Sequence, residues 1–110
     1  NPKKVRPNTY AIDKTEIEPY LKQPERLFTE VGVRPQTKNG EPTGAYILTG
    51  MKSDAFLRKI GLRDGDVILK VNGQNPMNLM SIISNPNIHD IHVEYQRGGR
   101  MQRLHLTLQE

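Results

Sequence analysis

The 110-residue sequence contains no cysteine, and only 5% of its residues are aromatic. Without cysteine the chain can form neither a disulfide framework nor a thiolate metal site, so the hydrophobic core alone must hold the fold. The scarcity of aromatic side chains argues against a base-stacking surface for nucleic acid. With 35% hydrophobic and 25% charged residues, the composition is otherwise typical of a globular domain.

Long apolar runs are also missing. None approaches the roughly 20 residues that cross a bilayer, and no signal-peptide pattern is present. The chain starts with Asn1-Pro2 rather than methionine, which suggests a segment of a longer protein with targeting and membrane elements elsewhere. We therefore expect one compact domain taken from a larger chain.

The net charge is +4, and basic residues gather in two places. They are Lys3, Lys4 and Arg6 in a proline-containing entry segment, and Arg97, Arg100 and Arg103 around one turn. A small basic hairpin tip is more often a solvated, aggregation-resistant edge than a phosphate site. We predict no nucleic-acid partner.

Catalytic patterns are equally scarce. The three histidines, His89, His92 and His105, lie in or beside the last predicted hairpin, and no helix presents them with a third metal ligand. No serine stands in a nucleophile elbow, and the glycines form no phosphate loop. We predict no catalytic residue, no cofactor and no metal site.

The N-terminal part divides into two predicted segments. Residues 1–12 are interpreted as a linker or a weakly held extended arm. Residues 13–31 are predicted to be helical, because Thr15-Glu16-Ile17-Glu18 has the form of a capping box and Pro24 suits the first turn of a second helix. That second helix should present one shared face, made of Leu27, Phe28 and Val31.

Residues 32–110 show a different pattern. Alternating apolar residues and Asn-Gly or Gly-Gly turns predict hairpins at residues 33–49 and 91–108, and the apolar run at 66–71 predicts a covered strand. Helical spacing appears at residues 55–60 and 76–84. The pattern predicts an α+β domain with a small antiparallel, partly closed sheet of about five strands and two helices, preceded by short N-terminal helices.

The segments Gly44-Ala45-Tyr46-Ile47-Leu48 and Asp54 to Gly73 resemble the central signature of bacterial PDZ domains. The second segment contains a helix that ends in Gly-Leu, followed by Gly-Asp-Val-Ile and Val-Asn-Gly. The two strands after the second helix are similar to the permuted order common in bacterial periplasmic PDZ domains. The resemblance implies a PDZ fold for residues 32–110.

Upstream, Ile12 to Pro35, followed by Lys38-Asn39-Gly40 and Gly44-Ala45-Tyr46, resembles the C component of the type II secretion system. That resemblance implies a periplasmic domain of a bacterial inner-membrane protein, which acts in substrate recognition or complex assembly. The implied partner is a protein or peptide, such as the secretin or an exported substrate. The alternatives are a substrate-sensing PDZ domain of a periplasmic HtrA-type serine protease or of an intramembrane metalloprotease, and a generic peptide-binding scaffold.

PDZ domains bind an extended peptide beside a sheet edge, with main-chain amides receiving its carboxylate and a helix supplying apolar contacts. The resemblance puts Val31-Gly32-Val33 at the carboxylate-binding loop, although Val31-Gly32 could merely end the second helix. Arg34 would bias the groove toward acidic peptides, or do nothing specific. The facing helix would contribute apolar side chains that could equally belong to the core, namely Leu79, Ile82 and Ile83. The leading helices are expected to crowd this groove.

Overall fold

The computed structural model describes residues 1–110 as an α+β domain built on one mixed sheet. Its seven strands lie in the order β1-β2-β7-β6-β5-β4-β3. Their bounds are β1 Lys3–Arg6, β2 Thr9–Asp13, β3 Gly32–Lys38, β4 Glu41–Thr49, β5 Val67–Val71, β6 Asp90–Arg97 and β7 Arg100–Gln109. Strand β2 runs parallel to β7, and all other neighbours are antiparallel.

Four short helices accompany the sheet. They are α1 Lys14–Lys22, α2 Glu25–Glu30, α3 Phe56–Lys59 and α4 Leu79–Ile83, with a single 3₁₀ turn at Pro76–Asn78 directly before α4. None of them is long and apolar enough to cross a membrane. The α+β class, the two helices of the main domain and the leading helices agree with the sequence prediction.

The N-terminal arm differs from the prediction. Residues 3–13 form two strands instead of a linker, and this pair accounts for the difference between about five predicted strands and seven observed ones. Ile12 is completely buried and pairs with Leu108 of β7. The five residues of β2, Thr9 to Asp13, show no alternation of apolar and polar residues, because Tyr10, Ala11 and Ile12 are consecutive, so the sequence pattern did not indicate a strand.

The start of α1 also differs. Asp13, not Thr15, is the N-cap: its carboxylate accepts from the backbone N–H of Thr15 at 3.1 Å and from the Thr15 hydroxyl at 3.0 Å. In α2 the predicted common face is wrong, because Leu27 and Val31 are buried while Phe28 is 60% exposed. Phe28 follows Leu27 by about 100° around the helix axis, so it points to solvent while Leu27 packs inward.

One hydrophobic core joins the sheet and the helices. Its most deeply buried large side chains are Ile12, Ile60, Leu104 and Val31, contributed by β2, the end of α3, β7 and the α2–β3 junction. The leading segment thus supplies part of the core. Removing it would expose apolar surface that the rest of the chain needs to cover.

The Gly-Asp turn before β5 is fixed by an ion pair. Asp66 is 1% exposed and accepts from Arg97 Nε at 2.9 Å, from Arg97 Nη2 at 2.8 Å and from the backbone N–H of Arg63 at 2.8 Å. Arg97 Nη2 also donates to the carbonyl of Gly61 at 2.8 Å. The hydrogen bonds that Arg97 donates to the Asp66 carboxylate raise the pKa of Arg97. This pair joins the α3–β5 turn to β6, so the aspartate of the turn is structural.

Candidate functional site

Strand β3 lies at one end of the sheet and pairs only with β4. The hydrogen bonds of the neighbouring strand β4 show which N–H and C=O groups of β3 are free. Leu48 of β4 donates to Asp66 O at 2.9 Å and accepts from Gly65 N at 2.7 Å, so its N–H and C=O both point away from β3. Leu48 is the partner of Val33, and this pair is therefore a non-hydrogen-bonded one.

The backbone of Val33 consequently points to the open side of β3, and the same holds for Pro35 two residues on. Gly32 and Arg34, which lie opposite Thr49 and Ile47, point to β4. Pro35 has no N–H to offer, and an outward position on an edge strand is where proline is tolerated. The ladder becomes irregular between Pro35 and Thr37. The regular free edge therefore offers one donor, Val33 N–H, and two acceptors, Val33 C=O and Pro35 C=O.

The start of this edge carries a second free donor. Val31 ends α2 in an extended conformation (φ −152°, ψ 139°), and its N–H takes part in no backbone hydrogen bond. Its side chain is 2% exposed.

Gly32, between these two donors, is required by packing: a Cβ there would stand 2.6 Å from Thr49 Oγ1 and 3.1 Å from Thr49 O. The close approach of β3 to β4 therefore explains the glycine at position 32 by packing alone, with no need for a ligand-binding role.

Side chains along β3 alternate between the two faces of the sheet. Val33 lies on the face it shares with buried Val31, yet it is 37% exposed. Arg34 is exposed on the opposite face. The structure thus separates Arg34 from the face of β3 on which Val33 lies.

The three apolar residues of α4 differ in burial. Ile82 and Ile83 are 7% and 8% exposed and belong to the core, while Leu79 is half-buried and packs against it. Ile83 also lines a cleft of about 140 Å³ together with Ile17 and Leu21 of α1. The leading helix α1 therefore lies beside the C-terminal end of α4.

Helices α1 and α2 are tied to α3 as well. Tyr20 donates its hydroxyl to Glu30 at 2.8 Å, and the other carboxylate oxygen of Glu30 accepts from the backbone N–H of Phe56 at 2.9 Å. The rings of Tyr20 and Phe56 are 5.5 Å apart. Burial, followed by the hydrogen bond to Glu30, raises the pKa of Tyr20 to about 12. The leading helices are thus bound to the domain at both α3 and α4.

Sequence reasoning missed one feature of this edge and one of the hairpin formed by β6 and β7. It did not consider that Pro35 withholds a donor from the free edge, although a proline in a strand is a signal for an edge position. It also missed the face-to-face approach of His92 and His105, which follows only from the register of β6 against β7. The proline signal was present in the sequence, whereas the histidine pair depends on strand register, which the sequence does not give residue by residue.

The fold has known counterparts. No family model and no curated protein matches the sequence. Among solved structures, the chain is similar to the PDZ domain of EpsC from Vibrio cholerae, residues 204–305, with 20% identity and a TM-score of 0.56, over 84% of this chain and 91% of that one. It is also similar to a shorter form, residues 219–305, with 20% identity and a TM-score of 0.51, over 74% of this chain and 97% of that one. The chain therefore has a PDZ fold.

Proposed function

We propose that this chain is a non-catalytic interaction module that binds an extended protein segment along the free edge of β3. The observation that carries the proposal is the outward-pointing backbone of Val33, the one residue of the regular edge that offers both a donor and an acceptor. Adding a strand to an open edge is a general mode of peptide recognition. The PDZ fold supports this mode of binding.

The edge limits what can be bound. Because Pro35 withholds an N–H, a bound segment receives donors only from Val31 and Val33 at the start of β3, and finds acceptors at Val33 and Pro35. Pairing is therefore short, and side-chain contacts must supply the rest of the affinity. Val33, which is 37% exposed, and half-buried Leu79 are the apolar side chains that we assign to these contacts.

The far end of α4 is less open. Ile83 already shares a cleft with Ile17 and Leu21 of α1, so the apolar pocket for a terminal side chain is partly filled from within the chain. We therefore favour an extended segment inside a folded partner over a free carboxyl terminus. The two Val N–H groups remain the place at which a carboxylate would bind.

We further propose that the module belongs to the inner-membrane component C of a type II secretion system and acts in the periplasm, with the secretin or an exported substrate as partner. The sequence resemblance of residues 12–46 and the structural likeness to the PDZ domain of EpsC support this assignment. The residues that precede Asn1 in the full-length protein test it. A transmembrane segment followed by about a hundred soluble residues is expected, whereas a Ser-His-Asp protease domain would overturn the assignment.

The edge itself is tested with two matched variants. Val33→Pro removes the free donor without touching the ladder to β4, and Val33→Ala keeps the donor but shortens the side chain. Hexapeptides with free and amidated carboxyl ends are titrated into ¹⁵N-labelled protein. We expect amide perturbations centred on Val31 to Arg34, loss of binding in Val33→Pro, and weaker binding at the same place in Val33→Ala. Equal binding by wild type and Val33→Pro would refute strand addition, and a large loss on amidation would favour carboxylate capture.

A further inference from the structure

Two histidines face each other on the exposed side of the terminal hairpin. His92 of β6 lies directly opposite His105 of β7. The C=O of His92 accepts from the N–H of Asn72, which directly follows β5. The N–H of His105 donates to the C=O of Asn8, which directly precedes β2. Both backbones thus point away from one another, which makes this a non-hydrogen-bonded pair, the kind in which opposite side chains come closest. Their rings stack with centroids 4.3 Å apart and an interplanar angle of 17°.

An aspartate orients one of these rings. His105 Nε2 lies 2.8 Å from Asp90 Oδ1. Because an ionised carboxylate only accepts hydrogen bonds, Nε2 carries the proton, and in the neutral ring the lone pair is then on Nδ1. Histidines that ligate metals almost always donate their other ring N–H to such a group, which fixes the tautomer and increases the basicity of the ligating nitrogen.

We propose that His92 and His105 together bind one Zn²⁺ ion, with Asp90 as the residue that positions His105. The structure gathers no group of three or more metal-ligating side chains, so water fills the remaining coordination positions. Two nitrogens at about 2.0–2.1 Å from a tetrahedral ion are roughly 3.4 Å apart. Because a bound ion lies in the plane of each ring, the exposed ring of His92 would turn out of the stack about its side-chain bonds to bring a nitrogen to this separation, while His105 keeps its hydrogen bond to Asp90. His92 is exposed and the side chain of His105 is 28% exposed, so the pair is open to solvent.

Imidazole nitrogens suit zinc, whereas Mg²⁺ prefers oxygen ligands. The ion would join β6 to β7 and would bind the folded hairpin better than the unfolded chain, in which no strand pairing holds the two histidines side by side. Zinc should therefore raise the thermal unfolding midpoint. This site lies outside the β3 edge and does not depend on the proposed function.

The test is calorimetric titration of the chain with Zn²⁺, with Mg²⁺ as a control. Wild type should bind one Zn²⁺ per chain and no Mg²⁺. His92→Gln and His105→Gln should each weaken binding at least about tenfold, and Asp90→Asn should weaken it about 10- to 100-fold. The matched control is His89→Gln, which changes an exposed histidine outside the pair and should bind as wild type does.

NMR of wild-type protein gives a second measurement that needs no variant. Ring signals of His92 and His105 should shift together on addition of Zn²⁺, while those of His89 should not. Absence of zinc binding, a loss in His89→Gln equal to that in His92→Gln, or one ion shared between two chains would each overturn the proposal.

Discussion

Replacing Arg97 by methionine should be one of the most damaging single changes in this domain. The substitution keeps the apolar stem and removes the guanidinium that donates twice to Asp66 and once to Gly61 O. Asp66 would be left 1% exposed with a single remaining donor, the N–H of Arg63. Removing one partner of a buried ion pair typically costs about 3–5 kcal/mol, because the other charge stays buried without compensation.

Removing the charge of the partner, Asp66, should destabilise the domain less than removing that of Arg97. The side chain of Arg97 is 31% exposed, so in Asp66→Asn the guanidinium can turn to water, and the amide still offers one acceptor. We expect a loss of about 1–3 kcal/mol. The double variant should be more stable than the sum of the two single losses indicates, by at least about 1 kcal/mol, since the residues are in direct contact.

Urea unfolding followed by circular dichroism measures these differences from the midpoint at constant slope, since urea is uncharged and does not screen the ion pair. A loss below about 1 kcal/mol in Arg97→Met would show that the pair behaves as a solvated surface bridge. A greater loss in Asp66→Asn than in Arg97→Met would refute the reasoning about which charge is trapped.

Three further changes test other parts of the structure. Gly32→Ala should lower the free energy of unfolding by about 1–3 kcal/mol because its Cβ meets Thr49 at 2.6 Å, and Thr49→Ala should restore part of that loss in urea unfolding. Ile12→Ala should cost about 2–5 kcal/mol because Ile12 is completely buried, whereas a result near zero would mean that residues 9–13 are a loose arm. The pKa of Tyr20 is raised to about 12 in the folded protein, above its value of about 10 in an unfolded chain. The stability that neutral Tyr20 contributes is therefore complete below pH 10 and lost between pH 10 and about 12. Tyr20→Phe should flatten the decline of stability with pH in this window, and an unchanged profile would contradict the assignment to Tyr20.

The main part of the fold could be predicted because its turns contain residue types, chiefly glycine and asparagine, that favour turns. Gly61 and Gly73 both have positive φ angles, of 93° and 73°, at the helix end and the strand reversal where the sequence pattern required them. The order of strands and helices after residue 32 follows from such punctuation and from apolar spacing.

The N-terminal strands could not be predicted in the same way. Strand β2 is held by pairing with β7, about a hundred residues further on, and its own sequence contains one fully buried apolar residue. Tertiary pairing of this kind overrides weak local patterns. The true N-cap of α1 was missed for a related reason, since Asp13 both ends β2 and caps the helix.

The candidate site shows the same division. The resemblance indicated Val31 to Arg34 and α4. The outward backbone of Val33 and the opposite face of Arg34 follow only from the register of β3 against β4. The contact of α1 with Ile83 follows only from helix packing. The assignment of these residues to peptide binding stays a prediction.

The most direct test of strand addition at β3 is the hydrogen exchange rate of the Val33 amide, measured by NMR with and without a bound hexapeptide. The N–H of Val33 is free at the edge, so we expect fast exchange in the isolated domain and clear protection in the complex. The N–H of Arg34, which points to β4, is the internal control and should change little. Peptide binding that leaves the Val33 amide exchanging as before would contradict the account.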